Sequence, residues 1–142
     1  LALGWAAWKT YVGRPATDGV RCSAQGIVGN GLRLNGRLAE ALPVLEASLA
    51  LSRRYFDNET TLLAQSKLAG CLFDLSRYDE ALPLYRESYA GFVAVSGVSD
   101  KRALLDGSNL ANALVFVHEF DEAKSFIRDE LLPAARRSPG PD

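Results

Sequence analysis

The sequence predicts an all-α protein, an α-solenoid of antiparallel helical hairpins, because one segment recurs along a chain with helical periodicity. The segment reads Arg-Tyr-Asp-Glu-Ala-Leu-Pro-Leu-Tyr-Arg-Glu-Ser at 77–88, with a close copy at 37–48 and a looser one at 119–130. Its shared alanines, Ala41, Ala81 and Ala123, lie 40 and 42 residues apart. Repeats of this length predict stacked units that each contact only their neighbours. No sustained alternation of apolar and polar residues favours a strand.

Composition limits the classes of function. The chain has 142 residues, enough for one domain or a short array, with 16 basic and 17 acidic residues and a net charge of −1. That balance predicts no nucleic-acid partner. No apolar run approaches the roughly 18–20 residues of a membrane span. The two cysteines, Cys22 and Cys71, form no disulfide framework, so we expect reduced thiols in a cytoplasmic protein. Because the chain has no methionine and begins at Leu1, we expect an excised piece with flanking repeats missing.

Residues 1–22 are predicted to form an N-terminal unit, part of a truncated repeat. Over 1–12, apolar residues recur at helical spacing; they are Leu1, Trp5, Trp8 and Val12. Such stripes usually face a core, which favours a helix that completes the neighbouring hairpin. The alternative is an aromatic docking site for a partner. Residues 13–22 contain Gly13 and Pro15 and are predicted to be a loop.

Three helical hairpins are predicted to follow, at 23–54, 59–95 and 101–136. Pairs of turn-forming residues separate the helices; they are Asn35-Gly36, Asp57-Asn58, Ser76-Arg77, Ser96-Gly97 and His118-Glu119. Lys124 replaces Leu42 and Leu82 on a stacking face, so the third hairpin is expected to cap the array. Residues 138–142 are expected to form a flexible tail.

Small and large apolar residues recur at fixed offsets in these hairpins. In the second they are Leu68-Ala69, Leu72, Tyr78, Ala81 and Tyr85, and in the third Leu110-Ala111, Leu114, Phe120, Ala123 and Ile127. This pattern resembles tetratricopeptide repeats over about residues 24–136. The period exceeds the usual 34 residues. Together with the segments at 80–87 and 109–112, it is similar to the kinesin-light-chain type of repeat, whose helices are extended.

The resemblance implies a non-catalytic scaffold whose first helices line a concave groove that binds a peptide or protein segment. Transferred residue by residue, the groove positions are Asn30, Arg33, Lys67, Asp74, Asn109, Asn112 and Phe116, with Gly26, Ser66, Gly70 and Ser108 between them. Asparagine amides are expected to hold a peptide backbone, since each offers a donor and an acceptor. Lys67 would attract a carboxylate, and Asp74 would oppose it. The alternative is a wall that is merely hydrophilic.

No chemistry-bearing constellation accompanies the repeats. The single histidine, His118, falls in a turn without a carboxylate or cysteine placed near it in sequence for a metal site or a nucleophile–base pair. We therefore predict no catalytic residues, no metal and no cofactor. The alternative function is structural, in which the Trp-bearing helix or the ends of the array pack onto another subunit or a second copy.

Overall fold

The computed structural model describes residues 2–15 and 17–138. Its helices, in chain order, are α1 (Ala2–Tyr11), α2 (Gly19–Leu34), α3 (Leu38–Tyr55), α4 (Asn58–Asp74), α5 (Tyr78–Ser96), α6 (Lys101–Phe116) and α7 (Phe120–Phe126). A π-helical turn, Ile127–Leu131, then leads into α8 (Leu132–Arg137). No strand occurs in these ranges, and the predicted all-α class is confirmed. Leu1 and most of the predicted tail, 139–142, lie outside the described residues.

An aspartate starts the first helix of each hairpin. Asp18, Asp57 and Asp100 precede α2, α4 and α6, and each side chain accepts hydrogen bonds from backbone amides in the first turn. At Asp18 the donors are the amides of Val20 and Arg21, at 2.9 and 3.1 Å. The prediction of a loop through residue 22 is therefore wrong at its end, because this cap starts α2 at Gly19.

The turn inside each hairpin has the same geometry in all three repeats. Gly36, Ser76 and His118 have positive φ angles of 74°, 60° and 66°. In each case the next amide reaches back to a carbonyl five residues earlier, at 2.9–3.0 Å, as in a Schellman motif. Glycine readily adopts this left-handed backbone conformation, which is uncommon for serine or histidine. Identical turns give the three hairpins one common shape.

The helices stack in chain order around one continuous core. Each helix from α1 to α6 packs on the next, and the first helices of successive hairpins also touch, α2 with α4 and α4 with α6. Ala41 and Ala81, which are equivalent in the first two repeats, are fully buried. A Cβ atom on Gly29 would lie 2.7 Å from Leu45 Cδ2, so glycine is needed at that helix crossing. The buried cluster therefore runs through all three repeats.

Two aromatic side chains of α1 pack against this core. Trp5 and Trp8 are partly buried and pack against the main buried cluster. This packing agrees with the interpretation of α1 as a helix that completes the neighbouring hairpin. Leu1, the first residue of the predicted stripe, is outside the described residues.

Candidate functional site

The first helices α2, α4 and α6 form one wall, and a cavity of about 440 Å³ opens in it. Five of the predicted groove residues line this groove cavity: Asn30, Arg33, Lys67, Asp74 and Asn109. Ser66, Gly70, Leu63, Phe73, Tyr85 and Leu105 complete the lining. The repeat register therefore brings residues that are up to 79 positions apart (30 to 109) into one site.

Arg33 and Asp74 form an ion pair across the first two repeats. Arg33 Nη1 donates to Asp74 Oδ2 at 2.7 Å, and Arg33 Nε donates to Asn30 Oδ1 at 3.1 Å. Asp74 was expected to oppose an acidic ligand, but the guanidinium already balances its charge. The sequence could not show this pairing, because the two residues are 41 positions apart. The hydrogen bond from Arg33 Nε uses the side-chain oxygen of Asn30, so the amide hydrogens of Asn30 remain available to a ligand.

Lys67 is half-buried, and no carboxylate among the described residues lies within ion-pair distance of its ammonium. A Cβ on Gly26 would lie 3.2 Å from Lys67 Nζ, so the absence of a side chain there makes room for the ammonium. Burial lowers the pKa of Lys67, and the Cys22 thiol opposes that shift. A partly desolvated cation without a counter-ion is energetically unfavourable, and an anionic group at this point would stabilise it.

Two predicted groove residues do not line the cavity. Asn112 is exposed, and lies three residues, about 4.5 Å, further along α6 than Asn109. Phe116 stacks on Tyr78 with ring centroids 4.7 Å apart and meets the edge of Phe73 at 5.2 Å. Its ring therefore helps to join the second and third repeats. Asn112 and Phe116 therefore lie outside the cavity lining, and contact of Asn112 with a ligand stays a prediction.

The apolar residues of the cavity were missed as site residues. Leu63 and Leu105 are absent from the predicted groove positions, yet both side chains are exposed at the cavity. The sequence feature that could have identified them is the occurrence of adjacent leucines, Leu62-Leu63 and Leu104-Leu105. Adjacent helical residues point about 100° apart, so both members of a pair do not face the same core. Leu62 is the buried member of its pair, and Leu63 is left on the groove side.

The family follows from a direct match. A tetratricopeptide repeat model matches residues 21–92, half of the chain. The chain belongs to the tetratricopeptide repeat family. Repeats of this family generally mediate protein–protein interaction and are typically non-catalytic.

Two solved structures have the same fold as this tetratricopeptide repeat chain. One contains the nearly identical TPR-like repeats of a Podosopora anserina protein assigned as a kinesin light chain, at a TM-score of 0.83 and 18% identity over 97% of this chain. A variant of those repeats gives a TM-score of 0.72 and 20% identity over 87%. The chain spans 66% and 59% of those two chains. None of the curated proteins matches it. The predicted family is confirmed, and the fold is that of kinesin-light-chain-type repeats.

Two further properties concern the described residues only. None of their helices is both long and apolar enough to cross a bilayer. Their histidine, cysteine and carboxylate side chains form no group of three that could ligate a metal ion.

A buried carboxyl group lies beside the groove cavity. Asp106 of α6 is 1% exposed, and Ser66 donates a hydrogen bond of 2.6 Å to its Oδ1 atom. Its Oδ2 atom is buried and has no hydrogen-bond partner among the described residues. Burial raises the pKa of Asp106, and the hydroxyl groups of Ser66 and Ser88 offset part of that shift.

Asp106→Asn is expected to change how stability depends on pH. The folded-state pKa of Asp106 lies above the ordinary 3.8, so the folded chain holds this proton more tightly than the unfolded chain. Its contribution to stability is therefore present below pH 3.8 and is lost as the pH rises through the raised pKa. From about pH 3.5 to pH 7, urea unfolding should show the free energy of unfolding of the variant rising relative to that of the wild type. Above the raised pKa of Asp106 the difference between the two should stay constant. If the difference in the free energy of unfolding between variant and wild type did not vary with pH, the raised pKa of Asp106 would be contradicted.

Proposed function

We propose that the chain is a non-catalytic scaffold that binds a peptide or protein segment in the groove cavity, with an acidic group of the ligand against Lys67. The observation that carries this proposal is the half-buried Lys67 ammonium, which has no carboxylate partner among the described residues. An acidic side chain or a chain terminus of the ligand would supply the missing counter-ion at the end of a charge-assisted hydrogen bond.

The rest of the cavity fits a peptide. The Asn30 amide hydrogens and the Asn109 side chain lie on its wall, where they would hold the ligand backbone. Leu63, Phe73 and Leu105 would cover an apolar ligand side chain. The net charge of −1 favours a protein partner over a nucleic acid. The two unpaired, buried thiols support our proposal that the protein is cytoplasmic.

The proposal predicts a specific loss on substitution of Lys67. Peptides selected from a random phage-displayed library against the wild-type chain should carry an acidic residue. Lys67→Ala should weaken their binding by about 1.5–3 kcal/mol, the range for a charged hydrogen bond, and Asn109→Ala by about 0.5–1.5 kcal/mol. The Lys67 effect should shrink as salt rises. Affinities are read by fluorescence anisotropy with synthetic copies of the selected peptides.

Lys101→Ala is the matched control, because Lys101 is exposed at the start of α6 and does not line the cavity. It should leave binding unchanged. Selected peptides that lack acidic residues, or that bind the Lys67→Ala and wild-type chains equally well, would show that the ligand does not bind at Lys67.

The alternative, a role in assembly, is favoured by one observation at the C-terminal end of the array. Phe120 and Leu132 leave about half of their side chains exposed there. The Trp-bearing helix α1 gives less support to this alternative, because Trp5 and Trp8 pack against the core.

A further inference from the structure

A second, smaller cavity of about 180 Å³ lies between α2, α3 and α4, next to the groove cavity. Its lining includes Gly26 and Ile27 of α2, Ser48 of α3, and Ala64 and Lys67 of α4, and we call it the Ser48 cavity. The two cavities share Leu63 and Lys67, so they are neighbours. Among the described residues that line the Ser48 cavity, Lys67 alone carries a charge.

One repeat later, a carboxyl group of the chain itself fills the corresponding place. The first hairpin maps onto the second at an offset of 40 residues, and α4 maps onto α6 at an offset of 42. The residues that correspond to Gly26, Ser48 and Ala64 are therefore Ser66, Ser88 and Asp106. There the buried Asp106 carboxyl group accepts a hydrogen bond of 2.6 Å from Ser66 and lies beside the Ser88 hydroxyl.

The first junction lacks both the carboxyl group and one of its hydroxyl partners. Ala64 stands in the place of Asp106, and Gly26 stands in the place of Ser66. Both differences remove side-chain atoms from the point where the three helices meet. Because packed helices close such a gap only in part, the removed atoms leave a cavity.

A cation and a hydroxyl group border this empty space. A Cβ atom on Gly26 would lie 3.2 Å from Lys67 Nζ and 3.5 Å from Ser48 Oγ, so both atoms lie around one point. Ser48 is 2% exposed, and its hydroxyl group forms no hydrogen bond with another described residue. A half-buried ammonium and a buried hydroxyl group on the wall of one cavity would both be stabilised by an anion that accepts hydrogen bonds from them.

We propose that the Ser48 cavity binds a free carboxylate on a short aliphatic chain, at the place that the Asp106 carboxyl group takes one repeat later. The two carboxylate oxygens would accept hydrogen bonds from Lys67 Nζ and from the Ser48 hydroxyl group. A carboxylate balances the single charge of Lys67, whereas a doubly charged phosphate would leave one charge unpaired in the cavity. Ile27 and Leu63, which are exposed at the cavity, would cover the aliphatic chain.

The volume of the cavity limits the length of the ligand. A cavity of about 150 Å³ holds benzene, a molecule of six carbon atoms. At about 180 Å³, the Ser48 cavity therefore has room for about six non-hydrogen atoms, the size of butyrate. Such a ligand binds without any peptide in the groove cavity, so this inference goes beyond the proposed function. Because both ligands use Lys67, the small carboxylate would compete with the acidic group of a groove peptide.

The probe is sodium butyrate, titrated into the isotope-labelled whole chain at constant ionic strength and followed by amide NMR. The resonances of Gly26, Ser48 and Ala64 should shift saturably, and butyramide, a neutral molecule of the same shape, should bind on the order of tenfold more weakly or worse. Ser48→Ala should weaken butyrate binding several-fold, the equivalent of one neutral hydrogen bond. Ser108→Ala is the matched control, because Ser108 is exposed on α6 and does not line the cavity.

Ala64→Asp gives a second test, because it supplies from within the chain the carboxylate that Asp106 supplies one repeat later. This variant should no longer bind butyrate, and the dispersion of its amide spectrum shows in the same sample that it is folded. Butyrate that binds Ser48→Ala and Ala64→Asp as tightly as the wild type overturns the proposal. Equal shifts with butyrate and butyramide also overturn it.

The same variants separate a free carboxylate from one carried by a groove peptide. If butyrate does not bind but Ser48→Ala weakens the binding of the selected acidic peptides, the cavity belongs to a peptide side chain and the proposal is overturned. If butyrate does not bind and only Lys67→Ala weakens peptide binding, this inference fails and the proposed function stands. Saturable butyrate binding by a chain that selects no acidic peptide would support the inference and refute the proposed function.

Discussion

Leu45→Ala should lower the free energy of unfolding by about 2–5 kcal/mol, the range for deleting a fully buried leucine side chain. Leu45 is 0% exposed and packs at the crossing of α2 and α3, where Gly29 allows the two helices to approach. Truncation removes the atoms that fill this crossing and leaves a cavity between α2 and α3. Urea denaturation followed by circular dichroism measures the change.

Leu34→Ala is the matched control for this substitution. Leu34 is 69% exposed at the end of α2, so the same truncation should change stability by no more than about 0.5 kcal/mol. Similar losses at the two positions would mean that Leu45 is not buried at a helix crossing. An early transition confined to the first hairpin would be consistent with an array in which each repeat depends on its neighbours.

Ala81→Phe should destabilise the chain by about 1–3 kcal/mol or more, because it places a ring where no space exists. Ala81 is 0% exposed in α5, and the equivalent residues Ala41 and Ala123 are buried in the same core. A larger side chain would push α5 away from its neighbours and disturb the packing of both adjoining helices. The melting temperature and the urea midpoint should both fall.

Ala90→Phe tests whether that loss reflects position rather than the phenylalanine itself. Ala90 lies on the exposed side of the same helix, where the ring would meet solvent. We expect a change of no more than about 0.5 kcal/mol there. An unchanged midpoint for Ala81→Phe would contradict the placement of this alanine between packed helices.

The groove could be predicted in outline because repeat proteins convert sequence register into spatial register. Asn30, Lys67 and Asn109 occur at related places in successive first helices, and stacking places them on one wall. The apolar lining by Leu63 and Leu105 could also have been found, because paired leucines point in different directions from one helix. Asn112 does not line the cavity, since sequence spacing gives the side of a helix and not the extent of a cavity along it.

The sequence by itself determined the fold class, the family and the small residues at helix crossings. These follow from periodicity and repeat spacing, which are local properties copied along the chain. Only the tertiary structure showed that Arg33 neutralises Asp74, that Lys67 lacks a carboxylate partner among the described residues, and that Phe120 and Leu132 are exposed at the C-terminal end of the array. Charge balance and exposure depend on which side chains meet across helices some 40 residues apart, and these contacts are set by packing, which the local pattern does not encode.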